Sequence, residues 1–348
     1  MVVTTFIRLQ VRFVDAKTGQ VYIGSGEGEA VKVGESFLKS LEKHISREVL
    51  VDLIPDKSGI RHGVIGGGSA NAARALAKLG LTVEFIDGIS TDQWGQQAKK
   101  ELSADGVGLN FVNISERPTC QAIVTLEANG SASYEFVIGG TATFDFADWL
   151  PDPEQLKPEL LYIGTLVTVI EPSASILREW AMQVSEFAPV VFDPNVRPAV
   201  MGDRANYITK VEKFVEISSV VKVSEEDLNW LFPGENHVAI AKKWLELGPA
   251  LIVITRGFAG LIAVTPEELI EVPGVRVDVV DTIGAGDTVG AIVCEAIINE
   301  GIHNLHGEQL RKMLERAALA AAITCSRKGP VPPTSAQIRE SAANAIYR

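Results

Sequence analysis

The chain has 348 residues and a formal net charge of −12, from 32 basic and 44 acidic side chains. Hydrophobic residues make up 46% and charged residues 22%, a balance that fills one large core or two ordinary ones. The acidic surplus argues against a general binder of nucleic acid or of an anionic membrane, while leaving room for a local basic pocket.

Cys120, Cys294 and Cys325 stand far apart with no paired metal spacing, which points to reduced thiols and a cytoplasmic setting. The best apolar run, residues 251–264, is broken by Arg256 and glycines and does not reach membrane-spanning length. The start of the chain lacks the basic-then-apolar order of a signal peptide.

Residues 1–45 carry the weakest pattern. Residues 6–13 alternate faintly, and residues 34–45 suit a short amphipathic helix. IGSGEGE has glycine spacing without the strand and helix that a dinucleotide loop requires. Residues 43–47 do not read as a strand. Residues 49–54 do, interrupted by Asp52 and ended by Pro55. A carboxylate is costly to bury unpaired, so Asp52 either meets solvent at a sheet edge or binds something. Gly66-Gly67-Gly68 then turns into a small-residue helix that stops at Gly80. It is not a Walker loop, because no Lys-Ser or Lys-Thr follows the glycines. A helix entry alone accounts for the turn, although Asn71 brings an amide that both donates and accepts.

A strand over 82–86, a loop over 88–95 and a helix over 96–105 continue the chain, an alternation that predicts a doubly wound, mainly parallel sheet. Residues 112–114, 121–126 and 133–137 differ: they are short strands, with Asn129-Gly130 as a hairpin turn. From residue 160 the alternation resumes, with a strand ending at Gly164, a helix over 173–187 and a strand over 190–192. That strand runs into Asp193-Pro194-Asn195-Val196-Arg197-Pro198. Polar residues at the C-terminal end of a parallel strand lie where open α/β sheets bind ligands. Arg197 suits either a bidentate grip on an anion or a structural salt bridge. Further strands over 220–224 and 251–255 lead into Glu225-Glu226-Asp227 and Arg256-Gly257-Phe258-Ala259-Gly260. Residues 310–324 form an Ala-rich helix. His303 and His306 lack a third ligand and read as surface residues.

The most informative stretch is VRVDVVDTIGAGDTVGAIVCEAIINEG, residues 275–301. Val275, Val277, Val279 and Val280 predict a buried strand. From Asp287 onward the period becomes helical. Between them lies Thr282-Ile283-Gly284-Ala285-Gly286, nearly free of bulk. Helix-start N–H groups lack internal partners and sit at the positive end of the dipole, so this turn favours an anion such as phosphate. Asp287 has two readings: a first-turn acid of the ordinary kind, or a base that deprotonates a hydroxyl attacking the phosphate.

Asp281-Thr282-Ile283-Gly284-Ala285-Gly286-Asp287 resembles the DTxGAGD signature of the PfkB, or ribokinase-like, sugar kinases. Residues 66–80 resemble that family's GGxxxNxAxxLAxLG motif, and residues 193–198 its DPNxRP motif. The resemblance covers about residues 46–335. It implies an α/β, ribokinase-like fold with helices on both faces and a small β-sheet lid, from about residues 52–65 and 111–140, within a kinase domain over 46–348. Residues 1–45 then form an atypical N-terminal segment.

The resemblance also implies roles. Gly284, Ala285 and Gly286 form the anion hole and Asp287 is the base. Asp52, Gly66, Gly67, Asn71, Arg197 and Asp287 contact the sugar. Ser224, Thr255, Gly257, Gly260, Thr282, Gly284 and Gly286 contact the nucleotide. Asp227, where Glu is usual, steers a metal through water. The implied partners are a small-molecule sugar and ATP with Mg²⁺, optionally a monovalent cation such as K⁺, and a second copy of the chain through the lid; no nucleic acid and no membrane. Fructose is the expected sugar, with 2-keto-3-deoxygluconate, ribose or a nucleoside as alternatives. The rival reading is a catalytically idle, nucleotide-binding regulatory relative.

Overall fold

A computed structural model describes residues 12–14, 21–23, 44–46, 49–55, 59–126, 132–145 and 149–346. The chain divides into two compact units, Met1–Glu42 and Lys43–Arg348. In the first, Arg12–Val14 (β1) and Val21–Ile23 (β2) pair antiparallel. Of the helix expected over 34–45, residues 34–43 lie outside the described residues, and residues 44 and 45 belong to a strand.

The second unit opens on a strand that the sequence pattern does not show. His44–Ser46 (β3) is a strand after all, parallel to both of its neighbours in an eight-stranded sheet. Its polar, charged surroundings hide it from a hydrophobicity pattern. Two parallel neighbours supply the backbone partners that its side chains do not advertise. This strand belongs to the compact unit that starts at Lys43.

Two strands of the lid come next, Leu50–Pro55 (β4) and Arg61–Gly66 (β5), followed by the helix Gly68–Leu79 (α1). Val83–Phe85 (β6) is one edge of the large sheet. Gly88–Ser90 (β7) pairs in parallel with Asn113–Ser115 (β8), with the helix Gln93–Ala104 (α2) between them. Residues 112–114 therefore do not join the lid as expected; they start a separate two-stranded ribbon. Gln121–Leu126 (β9) and Ala132–Val137 (β10) complete the lid in the order β10-β9-β4-β5. The proposed turn at Asn129-Gly130 is outside the described residues, though the strands on either side of it are antiparallel.

The rest of the large sheet follows: Leu160–Gly164 (β11), Val190–Asp193 (β12), Val220–Ser224 (β13), Leu251–Thr255 (β14), Leu261–Val264 (β15) and Leu269–Val272 (β16). Its order is β16-β15-β14-β13-β12-β11-β3-β6. It is parallel from β6 to β14 and antiparallel at β15 and β16.

Side chains alternate faces along each strand. Val221, Val223, Ile252 and Ile254 pack in one core with helices Ser173–Ser185 (α3), Arg204–Val215 (α4), Glu225–Leu231 (α5) and His237–Leu245 (α6). Val220, Leu251 and Val253 face the other core, shared with α1 and helices Ala285–Glu300 (α7) and Gly307–Cys325 (α8). Helices on both faces are the doubly wound arrangement expected.

The predicted strand over 275–280 is absent. The sheet ends at β16, and the residues beyond it run as an extended loop with Val279 and Val280 exposed at 64% and 62%. The N–H groups of Val280 and Asp281 both donate to the carbonyl of Cys325. A β-branched run with no partner strand does not make a strand by itself. No described helix is long and apolar enough to cross a membrane.

Candidate active site

The C-terminal ends of β11, β12 and β13 converge on the start of α7. Gly284 caps that helix in the left-handed region, φ 79°, where a side chain is strained. Asp281 holds the loop, accepting from Ile283 N–H at 3.0 Å and from Gly329 N–H at 2.9 Å. Thr282 contributes its carbonyl to Ala285 N–H, and Gly284 accepts from Thr288 N–H. The first-turn N–H groups of Gly286 and Asp287 have no partner within the helix, and they mark the positive end of its dipole.

Asp287 lies in that first turn, 7% exposed. Its Oδ2 accepts from Asn71 Nδ2 of α1 at 3.0 Å. A β-carbon built on Gly68 would stand 2.6 Å from Asn195 Nδ2, 2.7 Å from Thr165 Cγ2 and 3.3 Å from Asp287 Oδ1. The bare glycine lets α1 approach this corner. Thr165 and Asn195 are held at φ 61° and 40°, a strained backbone of the sort that gathers at functional sites. Asn71 Oδ1, Thr165 Oγ1 and Asp193 Oδ1 are buried with no hydrogen-bond partner among the described residues. Unsatisfied buried acceptors in one corner suit a hydroxyl-bearing ligand.

Beneath the loop is a buried polar triad. Lys222 Nζ donates to Asp193 Oδ2 at 2.8 Å, and Tyr162 Oη donates to the same oxygen at 3.0 Å. Burial works against the Lys222 charge, but the carboxylates of Asp193 and Asp287 hold its pKa above the ordinary lysine value. For Asp287, burial is the leading effect and pushes its pKa up to about 7; Lys222 draws it down, Asp193 raises it, and Asn71 and Arg197 draw it down.

Asp52 on β4 fits against Gly66, whose β-carbon would stand 2.7 Å from its Oδ2. Burial raises its pKa to about 6, against the pull of the Arg197 guanidinium. Arg197 Nη1 donates to Asn195 Oδ1 at 2.7 Å, and its backbone N–H donates to Tyr207 Oη at 3.0 Å. The structure thus brings together Asp52, Gly66, Asn71, Arg197 and Asp287, with Gly67 as the N-cap of α1.

Of the residues expected to meet the nucleotide, Ser224 and Thr255 are register partners at the ends of β13 and β14. Gly257 faces open space, whereas a β-carbon on Gly260 would strike Val272 O at 2.1 Å. Gly260 is therefore needed for close backbone packing. Asp227 Oδ1 accepts from Val196 N–H at 2.9 Å, and its Oδ2 from Ser224 N–H at 3.3 Å, within a capping box. Both oxygens brace the 193–198 loop against β13. Among the described residues no group of three or more His, Cys, Asp or Glu is arranged to hold a metal.

Sequence reasoning missed Lys222, Tyr162 and Thr165. Lys222 had a signal: it is the one charge in VVKVS, between Val221 and Val223, which face the opposite core.

A doubly wound sheet, a helix start whose first-turn N–H groups have no partner in the helix and a buried acid beside it fit a phosphotransferase of the sugar-kinase fold class. The model of the pfkB family carbohydrate kinase matches residues 54–337. A fructokinase of Rhizobium leguminosarum bv. trifolii is 31% identical over 294 residues, covering 82% of this chain and 85% of that protein. The crystal structure of a fructokinase with bound ATP from Xylella fastidiosa aligns with a TM-score of 0.81 at 21% identity, covering 88% and 99% of the two chains. A fructokinase from Vibrio cholerae O395, in its fructose, ADP and calcium ion bound form, aligns at 0.75 and 23%, covering 86% and 99%. The chain belongs to the pfkB family of carbohydrate kinases.

Proposed function

We propose that this protein transfers the γ-phosphoryl group of ATP to a hydroxyl of fructose, with Asp287 as the base. The observation that carries the reading is Asp287 itself: a buried carboxyl, its pKa near 7, in the first turn of a helix whose N–H groups favour an anion. A base performs best with a pKa close to the working pH, and contributes on the order of 10²–10⁴ in rate. As the sugar oxygen bonds to the γ-phosphorus, its proton passes to Asp287 and the bond to the ADP oxygen breaks. The N–H groups of Gly286 and Asp287 meet the negative charge on the transferring group. Asn71 fixes the carboxyl, and Asp52 and Arg197 grip sugar hydroxyls.

Mg²⁺ bound with the nucleotide would offset the charge on its phosphates. A metal that arrives with its own waters and phosphate ligands needs no carboxylate cage, which agrees with a donor set of backbone N–H groups, one brace (Asp227) and one base. Fructose is favoured by the fructokinase relatives. Cytoplasmic location and a dimer through the lid complete the reading.

The test is coupled ADP release across fructose, 2-keto-3-deoxygluconate, ribose and nucleosides. Turnover should be greatest with fructose; faster turnover with another acceptor would reassign the substrate. ATP binding with no acceptor-dependent turnover would instead favour the idle regulatory relative.

A further inference from the structure

The first two turns of α7 carry glycine at two points one turn apart, Gly286 and Gly290, and both make room for the same triad. A β-carbon on Gly286 would stand 2.9 Å from Lys222 Nζ, and one on Gly290 would stand 2.8 Å from Tyr162 Oη. Strand alternation puts Lys222, Asp193 and Tyr162 on the α7 face of the sheet, because Val221, Val223, Phe192, Leu161 and Ile163 all face the other core. The Lys222 and Asp193 side chains are 5% and 1% exposed. Stability does not explain a buried ion pair, since apolar residues of similar volume generally do as well or better. Its position under the anion loop does.

We propose that Lys222, held by Asp193 and Tyr162 beneath the first turn of α7, is the counter-charge that favours the ionised form of Asp287 when the acceptor hydroxyl arrives. Lys222 is then a positioning residue, acting through Asp287, and the proposal rests on the reading of Asp287 as the base. The groups facing Asp287 are Asn71 from α1, Tyr162 from β11, Asp193 from β12, Arg197 from the following loop and Lys222 from β13, with Asp227 acting on Lys222 and Cys294 on Tyr162. Two of these pull in opposite directions: Lys222 favours the charged carboxyl and Asp193 opposes it. Removing one member of the pair should therefore do the reverse of removing the other.

The experiment is the pH profile of kcat/KM for the sugar at saturating ATP and Mg²⁺, which reports the base in the nucleotide-bound enzyme that the sugar meets. Lys222→Met should move the acid limb upward by about one pH unit or more. Asp193→Asn should move it downward, and the double variant should return it towards wild type. A structural role would lower the whole profile without moving the limb in opposite senses. If Lys222→Met does not fold, Asp193→Asn decides, because Asn preserves an acceptor for Lys222 and Tyr162. An unmoved limb in the folded variants, or both single variants moving it the same way, would overturn the proposal. Asp287→Asn, measured alongside, separates the two readings. Near wild-type turnover there ends the base assignment and this proposal with it. Loss of turnover there with an unmoved limb in Lys222→Met and Asp193→Asn ends only the proposal.

Discussion

Asn71 Nδ2 donates to Asp287 Oδ2 at 3.0 Å across 216 positions of sequence. This one bond joins α1 to the first turn of α7. It also aims the carboxyl: with Oδ2 held, Oδ1 faces the corner where Gly68, Thr165 and Asn195 meet. Asp287→Asn keeps the shape and removes the proton acceptor, so kcat should fall by about 10²–10⁴-fold with KM for the sugar little changed. Asn71→Ala should cost less in kcat, roughly tenfold for one neutral donor to a charged acceptor. It should also move the acid limb upward, because Asn71 favours the charged carboxyl. Steady-state kinetics across pH checks both.

Asp52 and Gly66 make a second pair. The carboxyl occupies the space that a side chain at 66 would fill. Asp52→Ala should raise KM for the sugar by about 10- to 100-fold, the worth of hydrogen bonds to a charged group, with a smaller effect on kcat. Gly66→Ala should do the same from the other side by displacing the carboxyl. An unchanged KM in both variants would remove Asp52 from the sugar site.

How far the sequence went is clearest at these residues. The loop from Asp281 to Asp287 was legible because most of its bonds close within a few positions: Asp281 to Ile283, Ala285 to Thr282, Thr288 to Gly284. The helix after Gly67 and its stop at Gly80 were legible for the same reason. The triad was not, because Tyr162, Asp193 and Lys222 belong to three different strands, and only strand order makes them neighbours. Two errors had one cause. Val275 to Val280 look like a strand but have no partner, while His44 to Ser46 look like a loop but have two. Strand formation depends on neighbours that local composition does not name.

Gly290 tests the packing beneath the loop. A methyl group there would stand 2.8 Å from Tyr162 Oη and 2.9 Å from Cε2 of the same ring. The ring is fully buried and cannot swing to solvent. Gly290→Ala should destabilise the fold by about 1–3 kcal/mol despite its better helix propensity, because overpacking outweighs a gain of under about 1 kcal/mol. Urea denaturation should show a lower midpoint; a higher midpoint would mean that the triad yields easily and is not tightly packed.

The raised pKa of Asp287 has a consequence for stability whose sign is fixed. The group ionises near 3.8 when unconstrained and at about 7 in the folded protein. Between those values the native state keeps a proton that the unfolded chain has lost. Stability therefore falls as pH rises through this window and levels off above it. Asp52, raised to about 6, adds a slope of the same sign over a narrower range. Asp287→Asn removes the larger slope. The variant should melt several degrees above wild type at pH 8, and the gap should close as the pH is lowered towards 4. Thermal melts at pH 4, 6 and 8 measure this directly. A wild-type melting temperature that rises relative to the variant between pH 4 and 8 would mean that the folded protein favours the ionised carboxyl, with Lys222 and Arg197 outweighing burial.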